Sequence, residues 1–321
     1  MNKRAKIISY FACGTILGIS IMAFFAFKPV DKSPNIDAAD YGDSRGDGRS
    51  LYKWYPPELP KTLDFAGEKM PLEKWDVRER LEREMMINYY MHGSTLYILK
   101  LSTRYFPLIE ERLRANGVPD DFKYVCVAES SLQQSSLSPV GAASFWQFMK
   151  ETAPHYKLEV NNEVDERFNI RKATDAACDY YKEAHSKFGS WTAAAASYNC
   201  GMAGYASQCD FQKASNFYDL AFPEETNRYI YRIAALKYII VNARNLGLVI
   251  SGNEAYKPIK TKSVIVDASI TNLADFAIEH GSNYKMLKLL NPWLRAHTLT
   301  VKPGKTYTIE FPIDTPLDTQ Y

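Results

Sequence analysis

Histidine is scarce in this chain of 321 residues: there are five, scattered, with no His-Glu-x-x-His pair, and the five cysteines offer no Cys-x-x-Cys spacing. Those are the spacings by which a short stretch of chain gathers a metal, so neither a metal nor another cofactor is expected. An excess of charge of one sign is missing too. Lys and Arg number 39 against 37 Asp and Glu, a formal net charge of +2, which gives no polycationic field for holding nucleic acid. A polymeric ligand would have to be recognised by a groove. Strand-type alternation is absent before about residue 262, which leaves the middle of the chain to helices. With 46% hydrophobic and 13% aromatic residues, the chain can bury a core, and its length suits one larger and one smaller domain.

Long apolar runs are absent with one exception. Lys3, Arg4 and Lys6 precede Ile7 to Phe27, an uncharged stretch about as long as a membrane-spanning helix, with Lys28 beyond it. Residues 1–28 are read as a signal peptide or an N-terminal membrane anchor, and the lack of a clean small-x-small cleavage site favours the anchor. Residues 29–74 are rich in Pro, Gly, Asp, Ser and Lys without sustained periodicity, and read as a tether.

Apolar residues at three- and four-residue spacing begin near Asp76, and the pattern makes residues 75–250 an all-α domain. Asp76 and Ser94 are candidate N-caps, and Gly93 and Gly117 candidate stops. A third helix is expected after "GVPDD", with Pro119 near its first turn, and others at 172–188, 191–198 and 224–245. A helix over 120–130 puts Phe122, Val125, Cys126 and Glu129 on one stripe, so that a carboxyl continues an apolar face. Partial desolvation there raises its pKa and favours the protonated form that a general acid needs. A solvent-facing Glu in a last helical turn fits the same pattern, and periodicity alone does not separate the two.

The stretch "AESSLQQSSLSPVGAASFWQFM" separates them by resemblance. It is similar to the first two motifs of the family 1 lytic transglycosylases, goose-lysozyme-like enzymes that cleave peptidoglycan glycan strands, with matching positions at Glu129, Ser130, Gly141, Trp146, Gln147 and Met149. "ASYNCG" resembles the family's Ala-Tyr-Asn-x-Gly at Ser197, Tyr198, Asn199, Cys200 and Gly201, and "FPEETNRYIY" its Pro-x-Glu-Thr-x-x-Tyr at Pro223, Glu225, Thr226 and Tyr229. The likeness spans roughly residues 80–245 and looks nearest to the membrane-bound D type. It implies a lysozyme-like all-α catalytic domain at 75–250 and peptidoglycan glycan strands as the partner. The implied catalytic residue is Glu129, and the implied substrate-binding residues are Ser130, Trp146, Gln147, Met149, Tyr198, Asn199 and Tyr229. Amides, hydroxyls and aromatic faces of this kind suit a sugar polymer, although Trp146 would serve equally well in the core.

Most glycosidases use two carboxylates. Besides Glu129 the motif segments contain Glu225, which in the family is a supporting residue. The resemblance therefore implies that Glu129 alone acts, first as acid and then as base on the muramic acid's own 6-hydroxyl, giving a 1,6-anhydro end. A hydrolytic goose-type lysozyme and a catalytically silent peptidoglycan-binding envelope protein are the alternatives. The sequence departs from the family at Ser144, where Gly is usual, at Ser197 and at Cys200. None of these removes a catalytic group.

In an oxidising compartment Cys126, Cys178, Cys200 and Cys209 could pair, Cys200 with Cys209 being the shortest closure, whereas Cys126 and Cys178 read as buried helical thiols. After a linker near residue 250, the order strand, helix, helix, strand over 262–313, with strands at 264–266 and 307–311, resembles a LysM module, which binds N-acetylglucosamine-containing glycans. Leu273, Ala274, Ile278, Leu287, Leu290 and Asn291 fit it; the usual Gly-Asp before the first helix is missing, and a degenerate packing domain without glycan binding is the alternative. The chain is thus expected to be mainly α, with a small α+β module at its end, exported to the cell envelope or periplasm.

Overall fold

The computed structural model describes residues 55–313. The segment read as signal or anchor and most of the tether lie outside the described residues. Among the described residues no helix is long and apolar enough to cross a membrane.

The end of the expected tether is built into the domain. Strands β1 (Asp64–Phe65) and β2 (Glu68–Lys69) form a short antiparallel hairpin. Its two-residue turn has positive φ at both Ala66 and Gly67, the geometry that matches the twist of the flanking strands. Leu63, Phe65, Met70 and Leu72 are buried, and the Phe65 ring lies 5.1 Å from that of Phe122. The tether reading to residue 74 is corrected on this point: strands of two residues leave no periodicity to read.

Helix α1 (Trp75–Tyr90) is followed almost at once by α2 (His92–Ala115). The break falls at Met91 and not at Gly93, so neither Gly93 nor Ser94 has the role expected of it, and Asp76 sits in the first turn of α1 and not at its cap. The Thr95 hydroxyl closes the corner by donating to the carbonyls of Asn88 and Met91 at 2.7 and 3.1 Å. Helices α3 (Phe122–Ser130), α4 (Ile170–Phe188), α5 (Trp191–Cys200) and α7 (Glu224–Val241) lie where the periodicity put them. Helix α6 (Met202–Gln212) was not foreseen, because Tyr205 is its one buried residue and it presents no apolar stripe.

Helix α5 sits centrally against α4, α6 and α7. Its run Ala193 to Ala196 is fully buried, and small side chains allow that close approach from several sides. Helix α7 also packs along α1 and α3. It thereby brings its first turns to the end of α3, where Glu129 stands.

The C-terminal module runs β3 (Thr261–Val266), α8 (Leu273–Glu279), α9 (Tyr284–Leu290) and β4 (Tyr307–Pro312), with β3 and β4 antiparallel from Thr261↔Pro312 to Val266↔Tyr307. Its core of Leu273, Leu287, Leu294, Ile309 and Phe311 takes in Ala143, Val164 and Phe168 from the helical domain. The four cysteines of the described region are free, with Cys126 and Cys178 buried.

Candidate active site

Helix α3 ends abruptly. Ser131 and Leu132 both adopt left-handed φ, 52° and 59°, and the Ser131 N–H closes the last turn on the Val127 carbonyl at 2.8 Å. Two consecutive left-handed residues without glycine are costly and persist only where packing imposes them. Leu132 supplies that packing, being fully buried. The turn leaves Glu129 in the last turn of α3, above Phe122, Val125 and Cys126, which are all buried.

Glu129 is partly exposed, and its carboxyl is pushed up to about 7. Burial is the main cause; a hydrogen bond from Tyr229 and the nearby charge of Arg232 pull the other way, and Glu225 adds a small push upward. The negative end of the α3 dipole acts in the same direction as burial. Tyr229 is itself buried, and its O–H donates to Glu129 Oε1.

Helix α7 contributes further side chains at three-residue spacing. Thr226, buried, donates to Asn199 Oδ1 at 2.7 Å, leaving the amide N–H groups of Asn199 for a ligand. Tyr229 follows one turn later and Arg232 one turn after that. Arg232 holds the exposed Glu225 at 2.9 Å, while Arg228 meets the buried Glu84 of α1 at 2.6 Å. The second oxygen of Glu84 lies 3.7 Å from Arg232. Glu84, Thr226 as a donor and Arg232 were not anticipated. The three-residue spacing of Thr226, Tyr229 and Arg232 could have flagged the last two.

The loop after α3 meets α5 through Tyr198. Tyr198 donates to the Trp146 carbonyl at 2.6 Å, and its ring lies 5.0 Å from that of Tyr181. Gln147 stands at φ 49°, with its amide nitrogen donating to the Ser144 carbonyl at 2.8 Å, which leaves its side-chain carbonyl available. Met149 is partly exposed beside it. Ser144, at φ 62°, is buried, and its hydroxyl donates to the Gln134 carbonyl at 3.0 Å. The left-handed backbone explains why glycine suits this position.

Tyr229, expected among the ligand residues, is buried and spends its hydroxyl on Glu129, and two more expected ligand residues are placed otherwise. Trp146 is fully buried, with its indole N–H on the Thr174 hydroxyl at 2.9 Å. It supports the loop from beneath and has no face to offer a sugar. Ser130 is buried and donates to the Cys126 carbonyl at 3.1 Å, a bond internal to its own helix. Among the described residues no group of three His, Cys, Asp or Glu side chains is gathered for a metal.

Residues 107–220 match the family described as the transglycosylase SLT domain, and residues 262–315 that described as the soluble lytic transglycosylase C-terminal LysM-like domain. The membrane-bound lytic murein transglycosylase D of Escherichia coli K12 is 23% identical over 243 residues, covering 73% of this chain and 52% of that protein. The chain thus spans about half the length of the curated relatives it matches. Among solved structures, the 70 kDa soluble lytic transglycosylase of Escherichia coli superposes at TM-score 0.40 and 15% identity, covering 56% of this chain and 33% of that one. An inactive variant of the lytic transglycosylase Slt from Pseudomonas aeruginosa superposes at 0.36 and 18%, covering 47% and 26%. The sequence matches place an SLT domain and an SLT-type LysM-like domain in this chain, in that order.

Proposed function

We propose that this chain, with its SLT transglycosylase domain followed by an SLT-type LysM-like domain, is a peptidoglycan lytic transglycosylase. The observation that carries the proposal is Glu129, a carboxyl whose pKa of about 7 suits both loss and uptake of a proton at neutral pH. The other carboxylate whose charge reaches it, Glu225, is exposed and engaged by Arg232. That arrangement suits a reaction with one acid/base group.

In this reading, protonated Glu129 gives its proton to the glycosidic oxygen between N-acetylmuramic acid and N-acetylglucosamine. The resulting carboxylate then takes the proton of the muramic acid 6-hydroxyl as that oxygen attacks the anomeric carbon. The C1–O4 bond breaks, a C1–O6 bond forms, and the product ends in 1,6-anhydro-muramic acid. An intramolecular nucleophile needs no positioned water. Tyr229 donates to Oε1, so Oε2 is left to carry the proton and the hydrogen bond steadies the carboxylate between the two steps. Asn199, Gln147, Met149 and Tyr198 line the glycan's path.

Cell-wall remodelling at the envelope is the setting we propose, with residues 1–28 as anchor or signal, a tether ending near residue 62, and glycan contact by the module at 262–313. The name of the membrane-bound relative supports this location.

Mass spectrometry of purified peptidoglycan digested with the protein, with Glu129→Gln as control, tests the reading. Anhydro-muramic ends that vanish with the variant are expected. Reducing ends would identify a hydrolytic lysozyme, and binding without products a silent binder.

A further inference from the structure

The helical domain reaches the C-terminal module through the segment 159–168, and this contact continues to the candidate active site. On the module side the seam is dense. Val164 bridges Leu294, and the N–H groups of Asp165 and Arg295 donate to the carbonyls of Trp293 and Glu163 at 2.8 and 2.7 Å. The Glu163 carboxylate accepts from the Thr298 hydroxyl at 2.5 Å and the Thr300 N–H at 2.9 Å. Glu159 takes Lys305 and Tyr307 at 2.5 and 2.9 Å.

On the other side of the same segment stands Arg167, which is buried. Its guanidinium grips Asp165 with Nε and Nη2 at 2.9 and 2.7 Å. Its remaining nitrogen, Nη1, donates to the carbonyls of Gly141 and Phe148 at 2.8 and 3.0 Å. These two carbonyls bracket the stretch that carries Ser144, Trp146 and Gln147. The loop touches the module directly as well. Ala143 lies in the module's core, and Gln134 donates to the Leu289 carbonyl at 3.0 Å.

We propose that the C-terminal module acts as the scaffold of the substrate loop, with Arg167 as the positioning residue: docking of the module fixes Asp165, Asp165 fixes Arg167, and Arg167 sets the loop that presents Gln147. The consequence for catalysis rests on the proposed function; the coupling between module and loop does not. A planar fork can hold a carboxylate and two carbonyls at once, which an ammonium on a flexible stem cannot do in the same geometry. A loop carrying two non-glycine residues at positive φ, Ser144 and Gln147, relaxes once such a restraint is lost.

The test uses the full chain with the seam variant Glu163→Ala/Thr298→Val, which lies outside the candidate site. Backbone amide exchange is followed over 136–149, over 262–313 and along α7, together with turnover of peptidoglycan. The proposal expects exchange in 141–148 to rise on the order of tenfold while α7 is unchanged. It expects kcat to fall roughly tenfold, with the pH of half-maximal activity unmoved, because the bonds lost do not reach Glu129. Faster exchange confined to 262–313, or an even rise throughout, would overturn it. Should that pair fail to fold, Arg167→Lys is judged by the same exchange pattern. A wild-type protein without activity on peptidoglycan would refute the proposed function, and the exchange pattern would still decide the coupling.

Discussion

The phenol of Tyr229 donates to the carboxyl of Glu129 from a position 100 residues further along the chain, and both groups lie on the helical core, one at the end of α3 and the other in the second turn of α7. Burial drives the Glu129 proton affinity up while this bond restrains it. The measurable behaviour of the site follows from these opposing influences.

Activity should fall as pH rises through about 7, where Glu129 loses its proton. Initial rates of soluble product release from peptidoglycan between pH 5 and 9 would show this limb. A flat profile across that range would refute Glu129 as the acid.

Tyr229→Phe removes a donor that favours the carboxylate, so the Glu129 pKa should rise. The alkaline limb is expected to move to higher pH, while the maximal rate drops by roughly tenfold or more because the carboxylate has lost its support in the second step. The pH profile of the purified variant checks both.

Stability should carry the same signature. Glu129 ionises in the native state at about 7 against an ordinary value of 4.5. The native state therefore holds the proton more tightly between those values. The stabilising contribution is complete below about pH 4.5 and is lost as pH rises through 7. Glu129→Gln keeps a neutral side chain that can still accept from Tyr229, so it should gain on wild type over that window, on the order of 2 to 3 kcal/mol at pH 8. Denaturant melts of both proteins at pH 4.5 and 8 measure the difference.

Arg232→Gln should act on two quantities at once. The guanidinium holds the Glu129 pKa down, so its loss moves the alkaline limb of activity upward. The buried Glu84 would keep Arg228 alone, at a cost of about 1 to 3 kcal/mol. A variant with unchanged pH profile and unchanged melting would refute this assignment.

Glu129 was legible because a carboxyl interrupted an apolar stripe at a helix end, and the motif likeness gave it meaning. Tyr229, Asn199, Tyr198 and Gln147 came with that likeness. What escaped reading were partners far apart in sequence. Glu84 reads as an ordinary α1 residue until Arg228 is seen beside it, and Arg167 as a surface arginine until Asp165 and two carbonyls surround it. Trp146 lay in the right motif, yet burial under the loop gives its ring to Tyr181, at 6.1 Å. Ser130 was spent on its own helix, a competition between side chain and backbone that composition does not reveal.

The hairpin ahead of α1 also sets where this domain can be cut. Glu68 accepts from the Trp191 and Thr192 N–H groups at 2.6 and 2.9 Å and from the Ser190 hydroxyl at 2.8 Å, so the start of α5 is closed by a carboxylate from more than 120 positions upstream. The other end of α5 carries Tyr198 and Asn199. A fragment begun at Asp76, where the helical pattern starts, would leave those amide groups open and the far end of the helix less well held. One begun at Lys61 keeps the closure. The portable unit is therefore defined by a hydrogen-bonded seam between its first and middle segments, and any leader can be exchanged upstream of that seam.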